Sequence, residues 1–232
     1  MYYDPHRYNE LETIIGVVFR NKDLINNAFI HRSFINEYKE KQLESNERLE
    51  FLGDAVLELV VTEFLYKNYE NPEGELTNFR AALVRGNNLA IIAEKLNLGE
   101  YLYLSKGEKK SDGHKKSYLL ANTCEALIGA IYLDQGYDVA HRFIEKFISA
   151  FLDEILKKGL HIDSKSRFQE MAQEKLNVTP KYELLKEEGP DHNKTFCMGV
   201  YLNEEFVAQG AGRSKQIAEQ EAAKKGIEVK KW

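Results

Sequence analysis

The chain has 232 residues, 43% hydrophobic and 30% charged, with a formal net charge of -5, which is enough apolar material for one large or two modest cores. The acidic balance argues against a chain that is a phosphate-binding surface throughout, yet residues 160–232 carry 12 Lys+Arg against 12 Asp+Glu, so the excess belongs to residues 1–159. Cys124 and Cys197 stand apart, as in a reducing compartment; Met1–Pro5 is neither basic nor apolar, unlike a secretory leader; and no apolar run nears the ~20 residues of a membrane helix.

From Tyr8 to about Ile155 the pattern predicts helices almost throughout. Leu11, Ile14, Ile15, Val18 and Phe19 mark a first, and Lys22 to His31 a second. Asn46 to Leu59 forms the next, and at ~100° per residue it sorts into unlike faces. Leu49, Leu52, Val56 and Leu59 line one, and Glu47, Glu50, Asp54 and Glu58 the other. Like charges at these spacings repel by a few tenths of a kcal/mol per pair, so a sequence selected only to fold would mix in cations. Arg48 alone interrupts, and it points elsewhere. The acids read either as a solvated face or as a functional patch, and Phe51, a large ring set among them, favours the second.

Asn71–Gly74 is a turn, and Leu76 to Leu96 continues at helical period. Gly107 to Lys116, with Lys109, Lys110, Lys115 and Lys116, reads as a mobile basic loop: a solvated connection, or cations placed to hold phosphate. In Tyr118 to Leu133 apolar residues point in nearly every direction, so this helix is expected to be buried. Asn122 and Glu125 lie one turn apart on it, with no Lys or Arg within a turn of Glu125. A carboxylate in that setting costs several kcal/mol unless compensated. Either Glu125 hydrogen-bonds a neighbouring helix, or it shares a hard divalent cation with Glu50, Asp54 and the Asn122 amide oxygen. His31, His114, His141 and His161 are scattered and suggest no histidine-based chemistry.

Phe143 to Leu156 is a further amphipathic helix, closed by Lys157-Lys158-Gly159-Leu160, with a short polar linker after it. The period then changes. Ser166 to Leu176 is helical, Lys181 to Glu187 extended, and Thr195 to Leu202 alternates with Phe196, Met198, Val200 and Leu202 on one side. Asn203-Glu204 turns into Phe206 to Ala211, and Ser214 to Gly226 is helical, with Ala218, Ala222 and Ala223 facing a sheet.

Asn46 through Leu57, taken with Glu125-Ala126-Leu127-Ile128-Gly129-Ala130, closely resembles the two acidic signatures of the ribonuclease III family, and the likeness runs the length of the chain. Gly189 to Lys194 and Gly210 to Ala223 resemble a double-stranded-RNA-binding domain. The resemblance implies an all-α endonuclease domain over residues 1–158, a linker over 159–163 and an α+β domain of order α-β-β-β-α over 164–232. It implies hydrolysis of double-stranded RNA with Mg2+, for which Mn2+ can substitute, leaving 5'-phosphate and 3'-hydroxyl ends and short 3' overhangs.

By the same resemblance Asp54, Glu125 and Glu47 are the catalytic acids, and Glu50, Asp54, Asn122 and Glu125 the metal ligands. Gln169, Gln173 and His192 would enter minor grooves, while Ser214 and Lys215 meet phosphates. Phe51 would plug a cavity of a second copy in a homodimer. The expected setting is the cytoplasm, in maturation of rRNA precursors and some mRNAs, with no membrane and no small-molecule cofactor. Two positions depart from the family pattern: Asn122 stands where aspartate is usual, and Gln216 where many members have a second lysine. Asn122 therefore fits an active variant, an engineered substrate trap, or an RNA-binding protein that no longer cuts. A hydrolase of small phosphates and, for the C-terminal part, a protein-binding α+β domain are the readings outside this class.

Overall fold

The computed structural model describes residues 6–38, 43–157, 163–190 and 194–232. By contacts the chain divides into two compact units, Met1–His161 and Ile162–Trp232. The linker expected at 159–163 falls largely outside the described residues.

The first unit is helical: α1 (Asn9–Ile15), α2 (Lys22–Ala28), α3 (Arg32–Glu37), α4 (Glu47–Asn68), α5 (Glu73–Val84), α6 (Gly86–Lys95), α7 (Lys106–Lys110), α8 (Ser117–Gln135), α9 (Tyr137–Phe147) and α10 (Leu152–Lys157). The predicted first helix stops earlier than its apolar pattern, at Gly16 in the left-handed region (φ 73°). Val18 consequently lies outside the core, 70% exposed. The predicted second helix, Lys22 to His31, ends three residues early at Ala28, and His31, whose ring accepts from the Ser33 N–H, instead caps α3. The stretch 76–96 likewise breaks at Arg85, whose extended backbone (ψ 131°) separates α5 from α6. Phe143 to Leu156 holds the end of α9, a 3-10 turn at Ser149–Phe151 and α10 rather than one helix.

The expected mobile loop is ordered. Ser105 caps α7 through the Glu108 N–H at 3.1 Å, and Lys116 Nζ binds both Glu108 Oε1 (2.5 Å) and Ser111 Oγ (3.0 Å). The Lys116 pair folds the segment back on itself, while Lys109, Lys110 and Lys115 stay exposed to solvent.

α8 forms the middle of the first core, with Leu120, Cys124, Leu127, Ile128 and Ile131 at 0–1% exposure against Leu57, Val60 and Val61 of α4. A single short bridge, Ile30 with Tyr103, is the sole isolated strand pairing among the described residues. None of the described helices is long and apolar enough to cross a membrane.

The second unit is α11 (Ser164–Leu176), an antiparallel sheet of β1 (Lys181–Glu188), β2 (Thr195–Leu202) and β3 (Glu205–Gly212) in that order, and α12 (Lys215–Lys230). Asp163 caps α11. Asn203, at φ 55°, makes the β2–β3 turn that its side chain tolerates. The period-2 alternation of β2 holds: Met198, Val200 and Leu202 are buried beneath α12, where Ala218, Ala222 and Ala223 are fully covered, while Phe196 is half-buried.

Candidate active site and RNA-binding surface

The acids of α4 and α8 meet because two glycines let the helices touch. A Cβ on Gly53 would collide with the Glu125 carbonyl oxygen and lie 2.7 Å from its carbon and 2.9 Å from the Gly129 nitrogen. A Cβ on Gly129 would strike the Leu49 carbonyl oxygen and lie 3.1 Å from the Gly53 nitrogen. Backbone-to-backbone contact sets Glu125 opposite the turn of α4 that carries Glu50 and Asp54.

The electrostatics record that meeting. Glu125 is half-buried, and its carboxyl is raised from 4.5 to about 7, first by burial and then by the charges of Asp54 and Glu50. Glu50 is also raised, chiefly by burial. A hydrogen bond with the Asn122 side chain opposes that shift, while the charges of Glu47 and Asp54 add to it. Because a carboxylate only accepts, the Asn122 amide N–H is the donor. Asp54 faces solvent. Among the described residues none of Glu50, Asp54 and Glu125 forms an ion pair with Lys or Arg. Cys124, directly before Glu125, is fully buried with its thiol pushed up to about 12, and is inert.

The ends of the acidic face are compensated from elsewhere. Glu47 lies 3.5 Å from Arg32 of α3, and Glu58 lies 3.1 Å from Arg80 of α5. Leu59 departs from its expected face: it is 58% exposed, unlike Leu49 and Val56 at 6%. It sits about 80° around the helix from Leu49, on the rim of a bare apolar stripe with Phe51 (80% exposed) and Tyr66 (81%). Beside Asn122 a cleft of about 630 Å3 opens, bordered by Arg85, Asn87, Lys116 and Tyr118.

These donors are all oxygen, three of them anionic and mutually repelling, which suits a hard divalent cation. Among the described residues no group of three or more His, Cys, Asp or Glu is ready-made for a metal. The fourth corner is an amide already engaged with Glu50.

In the second unit Gln169 and Gln173 are exposed on α11, along a shallow groove shared with Ser166, Glu170 and Glu174. Gln173 donates to Asn177 at 2.5 Å. Ser214 caps α12 by accepting from the Ile217 N–H at 3.2 Å, and Lys215 and Gln216 are exposed beside it. His192 lies outside the described residues. The sequence reading missed the glycine crossing and both arginine partners. The glycines, two small residues inside strong helical patterns, were the available signal.

The Ribonuclease-III-like family model matches residues 21–152, and the Double-stranded RNA binding motif matches 164–230. Curated relatives named Ribonuclease 3 include one from Enterococcus faecalis, 44% identical over 225 residues (97% of each chain). Another, from Pelotomaculum thermopropionicum, is 44% identical over 218 residues, 94% of this chain and 90% of that one. Among solved structures, the nuclease domain of Ribonuclase III from Campylobacter jejuni aligns with a TM-score of 0.57 at 40% identity, covering 62% of this chain and 97% of that one.

Proposed function

The chain belongs to the ribonuclease III family, and from that premise we propose that Glu50, Asp54 and Glu125 hold Mg2+ at the α4–α8 crossing of a double-stranded-RNA endoribonuclease. Mn2+ can take the same place. The observation that carries the assignment is the raised Glu125 carboxyl, held against Asp54 and Glu50 by helices in backbone contact. A carboxylate kept where it is costly to ionise, with no Lys or Arg paired to it, calls for a cation.

When bound, such an ion lowers the pKa of its water and stabilises charge on the phosphoryl oxygens. The chain's residues do the rest. Glu50, hydrogen-bonded by Asn122, and Glu125, carried at the helix crossing, would supply carboxylate oxygens to the ion, and the Asn122 carbonyl oxygen is the expected fourth ligand. Glu47 stands at the rim as the acid beside the scissile strand. The products are 5'-phosphate and 3'-hydroxyl ends.

The second unit would bind the duplex. Uncharged Gln169 and Gln173 suit a minor groove, and Lys215 with the Ser214 cap suits phosphate. The stripe of Phe51, Leu59 and Tyr66 is the homodimer face, since covering one exposed ring is worth ~2 kcal/mol; Phe51→Asp should convert a dimer to a monomer in sedimentation. We place the protein in the cytoplasm, maturing rRNA precursors and some mRNAs without a small-molecule cofactor.

Asn122 favours a second reading, a duplex-binding protein on the same scaffold with cleavage weakened or lost. Incubating a labelled RNA duplex with and without Mg2+ separates the two. Cleavage that needs the ion and is abolished in Glu125→Gln is expected; a gel shift with an intact duplex would favour the second reading.

A further inference from the structure

We infer that Arg32 is a substrate-binding residue, exchanging its ion pair with Glu47 for a phosphate of the strand that enters the acid site; this rests on the nuclease reading above. Arg32 Nη1 lies 3.5 Å from Glu47 Oε1, with the two side chains 70% and 54% exposed. An open, solvent-screened pair of that length adds little to stability, so folding alone gives little reason for it.

Its position is nevertheless built. The Asn46 N–H donates to the Ile30 carbonyl at 2.9 Å, and the buried Asn46 side chain donates to the Ala28 carbonyl at 3.1 Å. The His31 N–H donates to Tyr103 O at 3.2 Å, and Tyr103 N–H returns to Phe29 O at 2.8 Å. The residues immediately before Arg32 and before Glu47 thus hang on one backbone frame, and the guanidinium's charge is felt by Glu50 as well.

An RNA strand approaching Glu47, Glu50, Asp54 and Glu125 meets anions, and a cation at their edge offsets the repulsion. Of the other cations near this face, Arg85 borders the cleft on the Asn122 side, away from Glu47, and two more are tightly held. Arg80 is held by both Glu58 (3.1 Å) and Thr62 (3.0 Å), and Lys116 by Glu108 (2.5 Å). Arg48 is as loosely paired, 3.8 Å from Glu44, but that partner is not one of the site acids. Guanidinium takes phosphate through the same bidentate fork that fits carboxylate, and the long, solvent-screened Glu47 pair leaves that fork free to turn to RNA.

The test is fluorescence anisotropy with a short RNA hairpin in Mg2+, on a Glu125→Gln background that leaves the hairpin uncut. Arg32→Gln should weaken binding about five- to tenfold and make the log–log salt slope shallower by about one, with the melting temperature unchanged. Arg32→Lys should restore the slope and part of the affinity. With Glu125 intact, Arg32→Gln should raise KM more than it lowers kcat. If Arg32→Gln leaves affinity and slope unchanged while the native protein does cut duplex RNA, the inference alone is overturned. A protein with native Glu125 and Arg32 that neither binds nor cuts the duplex would overturn the nuclease reading with it.

Discussion

Each unit has a place where a glycine brings two backbones together, and the two places serve different ends. Between α4 and α8, Gly53 and Gly129 bring a half-buried carboxylate against two others, an arrangement that opposes folding. Between β3 and α12, Gly210 would clash with Ala218 and Ala222 if it carried a Cβ, and the side chains gathered there are fully buried alanines. The first contact concentrates charge and the second only excludes water. Close packing is thus common to both units, while electrostatic cost is confined to the one that does chemistry, as expected where a site needs charge that the fold does not.

The largest effect that would break this contrast is Glu125→Gln. Cleavage should fall by at least about a hundredfold, while stability in chelator rises, because a neutral amide removes the repulsion with Asp54 and Glu50. The pH dependence follows in sign. A carboxyl raised in the fold binds its proton more tightly folded than unfolded, so its stabilising contribution is complete below 4.5 and is lost as pH rises through about 7. Thermal melts in chelator should therefore show the Glu125→Gln advantage growing between those limits, and added Mg2+ should cancel it for the native residue. Equal melting at pH 8 would remove the electrostatic cost from the account.

Next in size, Gly53→Ala should destabilise the first unit by about 3 kcal/mol or more, through backbone overlap that cannot relax locally, and abolish Mn2+ binding. Gly210→Ala should weaken duplex binding and leave Mn2+ affinity intact, as titration followed by electron paramagnetic resonance would read. Smaller is Asn122→Asp, which adds a charge beside Glu50 and removes its donor. Mn2+ binding should tighten about tenfold, roughly 1.4 kcal/mol, and the Mg2+ concentration for half-maximal cleavage should fall with it. An unchanged titration would remove Asn122 from the ligand set. Smallest is Gln216→Lys, which should steepen the salt dependence of duplex binding by about one phosphate contact.

Much of this was legible in the sequence because it rests on local periodicity. The acids of α4, the all-apolar surround of Glu125 and the alternation of Met198, Val200 and Leu202 each declare a face within one element. What escaped depends on distant partners. Arg32 and Arg80 reach Glu47 and Glu58 from other helices, and no spacing rule joins them. Leu59 sits at the seam between the buried face and the bare stripe, where a helical wheel cannot choose. The break at Arg85 hides in a continuous helical period, because a single extended residue leaves the apolar pattern on both sides intact. The basic segment before α8 looked loose because the Lys116–Glu108 pair, though local, spans eight residues and matches no helical spacing.

The most direct test is anomalous scattering from crystals soaked in manganese. A peak within ligand distance of the carboxylates of Glu50, Asp54 and Glu125, lost in Glu125→Gln, is what the account predicts; density showing those three side chains ordered with no peak beside them would contradict it.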